Sequence, residues 1–243
     1  MFIRGCEVFL GGEMKVGVIV PAYNEEKNIP SLVKNLRTLS AGGQDIVEEV
    51  VIIDDGSTDA TRREAEKAGA RVISHPENRG KGAALKTGFQ YALRKGFEAV
   101  ITMDGDEQHD WKEIPSFLNK ARENRADIII GNRMGNVRNM PFVRLWTNRV
   151  TSRILSAIAR QRIEDSQSGY RLIKKEVLRD IDLTTSDFDT ESEILIKASR
   201  RGYGITYIPI RTIYKDELIS KIKPVKDTIR FIKLIVRFWF FKK

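Results

Sequence analysis

Short apolar runs, most of them stopping on a proline, an aspartate or a glycine, alternate through the first half of the chain with segments of helical spacing. The runs are Val16 to Val20 before Pro21, Val50 to Ile53 before Asp54-Asp55-Gly56, Arg71 to Ser74, Ala99 to Met103, and Asp127 to Gly131. Between the first two, residues 25–39 carry Ile29, Leu32, Val33, Leu36 and Leu39, a helical period. Ser57-Thr58 are expected to cap a helix running to Ala68 and stopped by Gly69, and a further helix is expected from Gly82 to Lys95, ending at Gly96. Such alternation predicts an α/β fold, a mostly parallel, Rossmann-like sheet flanked by helices on both faces. With 243 residues, 41% of them hydrophobic, the chain can bury one large domain plus extensions.

Ligands of open α/β sheets bind beyond the carboxyl ends of the strands, so the residues that follow each run matter most. The stretch Met103 to Asp110 reads MDGDEQHD. Asp104, Asp106 and the amide of Gln108 are hard oxygen donors suited to Mg²⁺ or Mn²⁺, and such an ion usually also holds substrate phosphates. On that reading the substrate is a nucleotide diphosphate. The stretch reads equally well as a polar loop whose acids cap a helix beginning near Trp111. Three further stretches, VIVPAYNEE, IIDDGSTD and NRGKGAALKTGF, place polar or small residues at strand ends or helix entrances, a rim suited to ribose, base and phosphate. Neither GxxxxGK[ST] nor GxGxxG occurs, which argues against a simple ATPase or a nicotinamide enzyme.

The formal net charge of +9, with the basic excess in the second half, suggests a polyanionic or phosphorylated partner or an anionic surface. A single cysteine, Cys6, cannot form an internal disulfide, as expected of a reducing, cytoplasmic setting. Residues 1–13 lack a continuous apolar segment and are expected to be a loose extension, with the fold starting near Met14. From Pro224 on, Lys226, Arg230, Lys233 and Arg237 fall on one helical face opposite Phe231, Ile232, Ile235, Phe238 and Trp239. That run is too short to span a bilayer core of about 30 Å and reads as an interfacial helix. Residues 140–158 mix Arg144, Arg149 and Arg153 with Trp146, Val150, Leu155 and Ile158 in a similar way. Packing against the sheet or a dimer interface is the alternative for both helices.

PAYNEE, DDGSTD, NRGKGAALKTG, DGD with QH after it, and EDSQSGYRL, in this order, resemble the family-two inverting glycosyltransferases. Within these the chain is most similar to the dolichyl- or polyprenyl-phosphate mannosyltransferases and the related glucosyltransferases, over about Val16 to Lys221. The resemblance implies a GT-A-like domain over 14–221, including an amphipathic helix at about 142–160, and a membrane-interface helix over 222–243. It implies a metal-dependent transfer of a hexose, mannose favoured, from GDP-mannose to polyprenyl or dolichyl phosphate at the cytoplasmic face of a membrane, with UDP-glucose as the alternative donor. A separate membrane-anchoring subunit is a further partner that the resemblance implies.

Residue by residue, the resemblance implies that Pro21, Tyr23 and Glu25 hold the nucleoside and that Asp54 contacts the base. Asp104, Gly105 and Asp106 would hold the sugar nucleotide through Mg²⁺ or Mn²⁺, with Gln108 as a further metal ligand; the family commonly has alanine where this chain has Gly105. Arg133 and Arg149 would face the acceptor phosphate, Arg133 as part of the catalytic set with Asp104 and Asp106. Lys221, and more weakly Lys215, would close over the donor diphosphate. Asp165 is assigned to orientation or local structure, and neither His75 nor His109 to catalysis. Two rivals are a non-catalytic membrane- or nucleic-acid-binding module and a nucleotidyltransferase. The terminal, apolar placement of the aromatic residues disfavours nucleic acid, and PAYNEE is not a nucleotidyltransferase loop.

Overall fold

The computed structural model describes residues 14–39, 46–123, 126–135, 137, 140–187, 189–211, 213 and 224–240. A seven-stranded sheet in the order β3-β2-β1-β4-β6-β5-β7 forms the centre. Its strands are β1 (Val16–Ala22), β2 (Glu49–Asp54), β3 (Arg71–Ser74), β4 (Ala99–Thr102), β5 (Ile128–Asn132), β6 (Arg171–Lys174) and β7 (Ile205–Pro209). Strand periodicity is visible in the packing. Val18, Val20, Ile52 and Ile129 face one cluster, whereas Ile19, Val51, Ile53 and Ile130 face the other. Helices α1 (Ile29–Thr38), α2 (Thr61–Lys67) and α4 (Ile114–Glu123) cover the first face. Helices α3 (Lys81–Lys95), α5 (Phe142–Ala159), α6 (Lys175–Asp180), α7 (Asp189–Arg200) and α8 (Pro224–Phe240) cover the second.

The five expected strands and the helices between them are present, with shifted edges. The first helix begins at Ile29 rather than at residue 25, because Glu25 to Asn28 form a turn in which the amides of Asn28 and Ile29 both donate to the Glu25 carbonyl at 3.0 Å. Helix α2 begins at Thr61, so Ser57 and Thr58 do not cap it. The Ser57 amide donates to Asp54 Oδ1 and the Thr58 amide to Asn24 Oδ1, tying the ends of β2 and β1 together, while Asp59 Oδ1 accepts the Thr61 amide at 2.9 Å.

Strand β6 positions the site. It runs antiparallel to both β4 and β5, while β1, β2, β3 and β4 are mutually parallel and β7 parallels β5. A reversed strand between two forward ones brings its own entrance, residues 165–170, to the edge where β4 and β5 end. Thr102 and Ile130 lie in register with Arg171 from either side. The sequence pattern did not foretell this strand, because RLI is short and lies within a motif.

The amphipathic helices are divided in their loyalties. On α8, Leu234 and Phe238 are buried and Phe231 and Ile235 pack against the core, so this part of the expected lipid-facing side is taken by the domain itself. Ile229, Ile232, Val236 and Trp239 remain exposed. At the start of α5, Phe142 (77% exposed), Val143 (72%) and Trp146 (58%) also stand in solvent. Among the described residues no helix is long and apolar enough to cross a membrane.

Candidate active site

The ends of β1 and β2 are bound into one platform. Pro21 is in register with Ile53 and Ala22 with Asp54, and the Asp55 amide donates to the Ala22 carbonyl at 2.8 Å. Asp54 is buried and accepts the Ser57 amide at 3.0 Å. Glu25 is buried too, with Oε2 accepting from Asn28 Nδ2 at 2.8 Å, while Tyr23, two residues earlier, is half-buried. Asp55 reaches the other way. Its carboxylate takes the amides of Arg79 and Gly80 at 3.0 and 2.8 Å and meets His75 Nδ1 at 2.6 Å, which fixes the loop that enters α3. Gly80 there has φ +93, a left-handed conformation that favours glycine.

Lys81, the first residue of α3, is thereby delivered to the acidic loop. Its Nζ sits on Asp104 Oδ1 and 2.8 Å from Glu191 Oε1 on α7. Burial alone would depress the ammonium, but the Asp104 and Glu191 charges outweigh it and hold Lys81 well above the usual lysine range. Burial would likewise raise Asp104, yet Lys81 holds that carboxyl well below the usual carboxylate range. Asp106 is pushed up to about 6, first by burial and then by the Asp104 charge. Two carboxylates in this relation are what a divalent cation relieves, so the donor set fits Mg²⁺ or Mn²⁺. Among the described residues no group of three or more His, Cys, Asp or Glu side chains is placed to hold a metal.

The alternative reading of the loop is also partly right. Asp110 Oδ1 accepts the Lys112 amide at 3.1 Å and caps the 3₁₀ turn Trp111–Glu113 that leads into α4. Capping thus falls to Asp110, whereas Asp104 and Asp106 stay at the mouth of the sheet. Gly105 lies against Pro21 and Glu25: a Cβ there would meet Ile29 Cδ1 at 3.3 Å and Glu25 Cγ at 3.5 Å. The PAYNEE residues and the acidic loop are therefore neighbours.

His109 braces the loop from beneath. Its Nδ1 accepts the Asp104 amide at 3.2 Å, and its ring stacks on Tyr170 at 4.9 Å. Burial pushes the imidazole down to about 4, with Arg133 and Lys81 adding to the effect, so it is neutral at pH 7 and able to accept.

Arg133 follows β5 and is buried. Its Nε and Nη2 donate to Asp165 Oδ2 and Oδ1, both at 2.8 Å, and its amide also donates to Oδ2 at 3.1 Å. Asn148 Nδ2 on α5 donates to the same carboxylate at 2.8 Å, and Asn148 Oδ1 accepts from Ser152. Burial would raise Asp165, but Arg133 outweighs it and the carboxyl is lowered. Arg149 is exposed on α5, one residue beyond Asn148.

Gly105 lies against Pro21 and Glu25, Lys81 sits on Asp104, and Asp54 ends the adjoining strand. Gln108 is held by its backbone, since the Ile213 amide donates to its carbonyl at 3.0 Å. The chain thus passes the acidic loop two residues before Lys215; Lys215 and Lys221 lie outside the described residues, as do residues 1–13. Sequence reasoning missed Lys81, which stood unassigned within NRGKGAALKTG, and Glu191, in a segment it left unread. It also missed Gly169: a Cβ there would stand 2.9 Å from Lys81 Nζ and 3.0 Å from both Asp104 carboxylate oxygens.

The glycosyl transferase family 2 model matches residues 17–182. The UDP-N-acetylglucosamine–dolichyl-phosphate N-acetylglucosaminyltransferase of Methanococcus voltae is 30% identical over 226 residues, covering 84% of this chain and 88% of that protein. The polyprenol monophosphomannose synthase of Mycolicibacterium smegmatis is 31% identical over 216 residues, covering 84% and 79%. In fold, the chain resembles glucosyl-3-phosphoglycerate synthase from Mycobacterium tuberculosis, solved with Mn²⁺, UDP and phosphoglyceric acid, at a TM-score of 0.71 and 20% identity, over 93% of this chain and 77% of that one.

Proposed function

The chain belongs to glycosyl transferase family 2, and from that premise we propose that it transfers a hexose, with inversion, from a nucleotide diphosphate sugar to a polyprenyl or dolichyl phosphate, with GDP-mannose the favoured donor. The observation that carries the reading is the convergence of Asp104, Asp106 and Lys81 at the strand ends beside Pro21 and Glu25. Relatives named for polyprenyl and dolichyl phosphate chemistry, at 30% identity or more over most of the chain, supply the acceptor class.

On this reading Pro21, Tyr23, Glu25 and Asp54 bind the nucleoside, and Asp104, Asp106 and Gln108 would hold Mg²⁺ or Mn²⁺. The ion, when bound, would screen the negative charge that grows on the leaving diphosphate. Lys215 and Lys221 serve the same diphosphate. Arg133 and Arg149 meet the acceptor phosphate, and Asp165 acts as a positioning residue that fixes the plane of the Arg133 guanidinium. A phosphomonoester has a second pKa of about 6, so the acceptor arrives largely deprotonated and needs no strong base. Residues 14–221 carry this chemistry. The exposed apolar residues of α5 and α8 rest on the cytoplasmic face of a membrane, beside which an anchoring subunit is a further partner in this scheme.

A UDP-sugar donor is the second reading, favoured by the M. voltae relative. Thermal stabilisation by GDP, UDP, GDP-mannose and UDP-glucose, with and without Mn²⁺, separates them, because a ligand that prefers the folded state raises Tm. A metal-dependent shift with guanine nucleotides supports the first reading and one with uracil nucleotides the second. No shift with any of them, in folded protein, would sink both.

A further inference from the structure

We propose that Lys81 is a built-in competitor for the cation of the donor site, and that Glu191 is the carboxylate onto which its ammonium withdraws when a divalent ion claims Asp104. The inference rests on the reading of Asp104 and Asp106 as metal ligands. Lys81 touches two carboxylates at once, Asp104 at the mouth of the site and Glu191 behind it. Their side chains are 31% and 9% exposed, so a shift from the first to the second carries the charge inward. A lysine suits such a movement. Its ammonium is a compact charge on a flexible stem, whereas an arginine fork would be fixed to one carboxylate.

The destination is held in place. Glu191 lies in the first turn of α7, and Arg171 Nη1 donates to its carbonyl at 2.7 Å; the same guanidinium donates to the carbonyls of Ser168 and Ser166. The origin is equally defined, because the Lys81–Asp104 pair packs directly on the backbone of Gly169. Lys81 thus stands between the two carboxylates, and a divalent ion drawn to Asp104 would repel the ammonium towards Glu191. Without the ion, Lys81 is shared between Asp104 and Glu191; with it, the ammonium would rest on Glu191 and leave Asp104 and Asp106 to hold the metal.

The test is binding of Mn²⁺ alone, read from the free Mn²⁺ signal in electron paramagnetic resonance, to the full chain and to Lys81→Gln, Glu191→Gln and the double variant, each shown to be folded by its thermal transition. Removing the competitor should tighten Mn²⁺ binding about tenfold, and removing its refuge should weaken it about tenfold. In the Lys81→Gln background, Glu191→Gln should change binding by less than about threefold, since no ammonium is left to redirect. Lys81→Arg keeps the charge if Lys81→Gln fails to fold, and should bind Mn²⁺ more weakly than the wild type because the fork holds Asp104. Shifts of the same sign for Lys81→Gln and Glu191→Gln, or an undiminished Glu191→Gln effect in the double variant, would overturn the proposal. Wild-type Mn²⁺ binding that none of the variants alters would overturn it while leaving the metal site intact. Absence of Mn²⁺ binding in every form, with nucleotide still bound, would remove the metal reading and the proposal together.

Discussion

Lys81 and Arg133 each meet an aspartate at the carboxyl edge of the sheet, but they are held differently. Lys81 divides a point charge between Asp104 and Glu191, and Asp104 is partly open to solvent. Arg133 lays two nitrogens on the two oxygens of Asp165, with both side chains buried and Asn148 completing the shell. A bidentate, fully enclosed pair resists rearrangement, whereas a shared and partly wet one can exchange partners. On the proposed function, the first suits a site whose charge changes during turnover, and the second fixes the plane of the Arg133 guanidinium while tying the end of β5 to α5 and the entrance of β6.

The sharpest way to break this contrast is to remove one acid from each pair. Asp165→Ala takes the bidentate carboxylate from the buried Arg133 guanidinium and should cost about 3–5 kcal/mol of stability, measured by urea unfolding. Asp104→Asn should cost less than this, since Lys81 keeps Glu191 as an ion-pair partner, while lowering transferase turnover by about 10²–10³-fold. Equal destabilisation by both would erase the distinction.

Helix α7 offers a control, because Glu193 is two residues from Glu191 yet is bound by Lys197 and by Thr184 and Thr185 rather than by Lys81. Burial alone would raise Glu193, but Lys197, Thr184 and Thr185 outweigh it and hold it at about 2. A carboxyl lowered on folding contributes stability above its unfolded pKa and loses it as pH falls through the folded value. Glu193→Gln should therefore destabilise by about 2 kcal/mol near pH 7, and its gap from wild type should close as pH falls from about 4.5 towards 2. A constant gap across that window would mean that the charge contributes nothing.

Smaller effects sharpen the picture. Gly169→Ala places a methyl against the ends of Lys81 and Asp104. Since those ends can shift, turnover should fall about tenfold with a stability change below about 1 kcal/mol. Replacing Phe142 and Trp146 together with Ser should leave Tm and nucleotide binding unchanged and reduce co-sedimentation with anionic vesicles a few-fold. Unaltered sedimentation would detach α5 from the membrane role.

Much of this was legible in the residues because the strands are short, buried and β-branched, and each ends on a residue with a distinct chemical signature. Asp104 and Asp106 could be placed from Ala99 to Met103 alone. What escaped was set by tertiary topology. The reversal of β6 brings Gly169 and Asp165 to the edge where Asp104 and Arg133 emerge, and no local pattern encodes that. Lys81 looked like one more helix-entrance cation, since its partners lie 23 and 110 positions further on. The C-terminal helix was read as amphipathic correctly, but periodicity could not tell Leu234 and Phe238, which face the domain, from Ile232 and Trp239, which do not.

The most direct measurement is transfer of labelled hexose from GDP-mannose, and in parallel from UDP-glucose, to polyprenyl phosphate in anionic vesicles with Mn²⁺. The expected result is a lipid-phosphate hexose formed by the wild-type chain and lost in Asp106→Ala. Folded protein that binds nucleotide yet yields no lipid-linked sugar from either donor, or an Asp106→Ala chain that yields as much as the wild type, would contradict it.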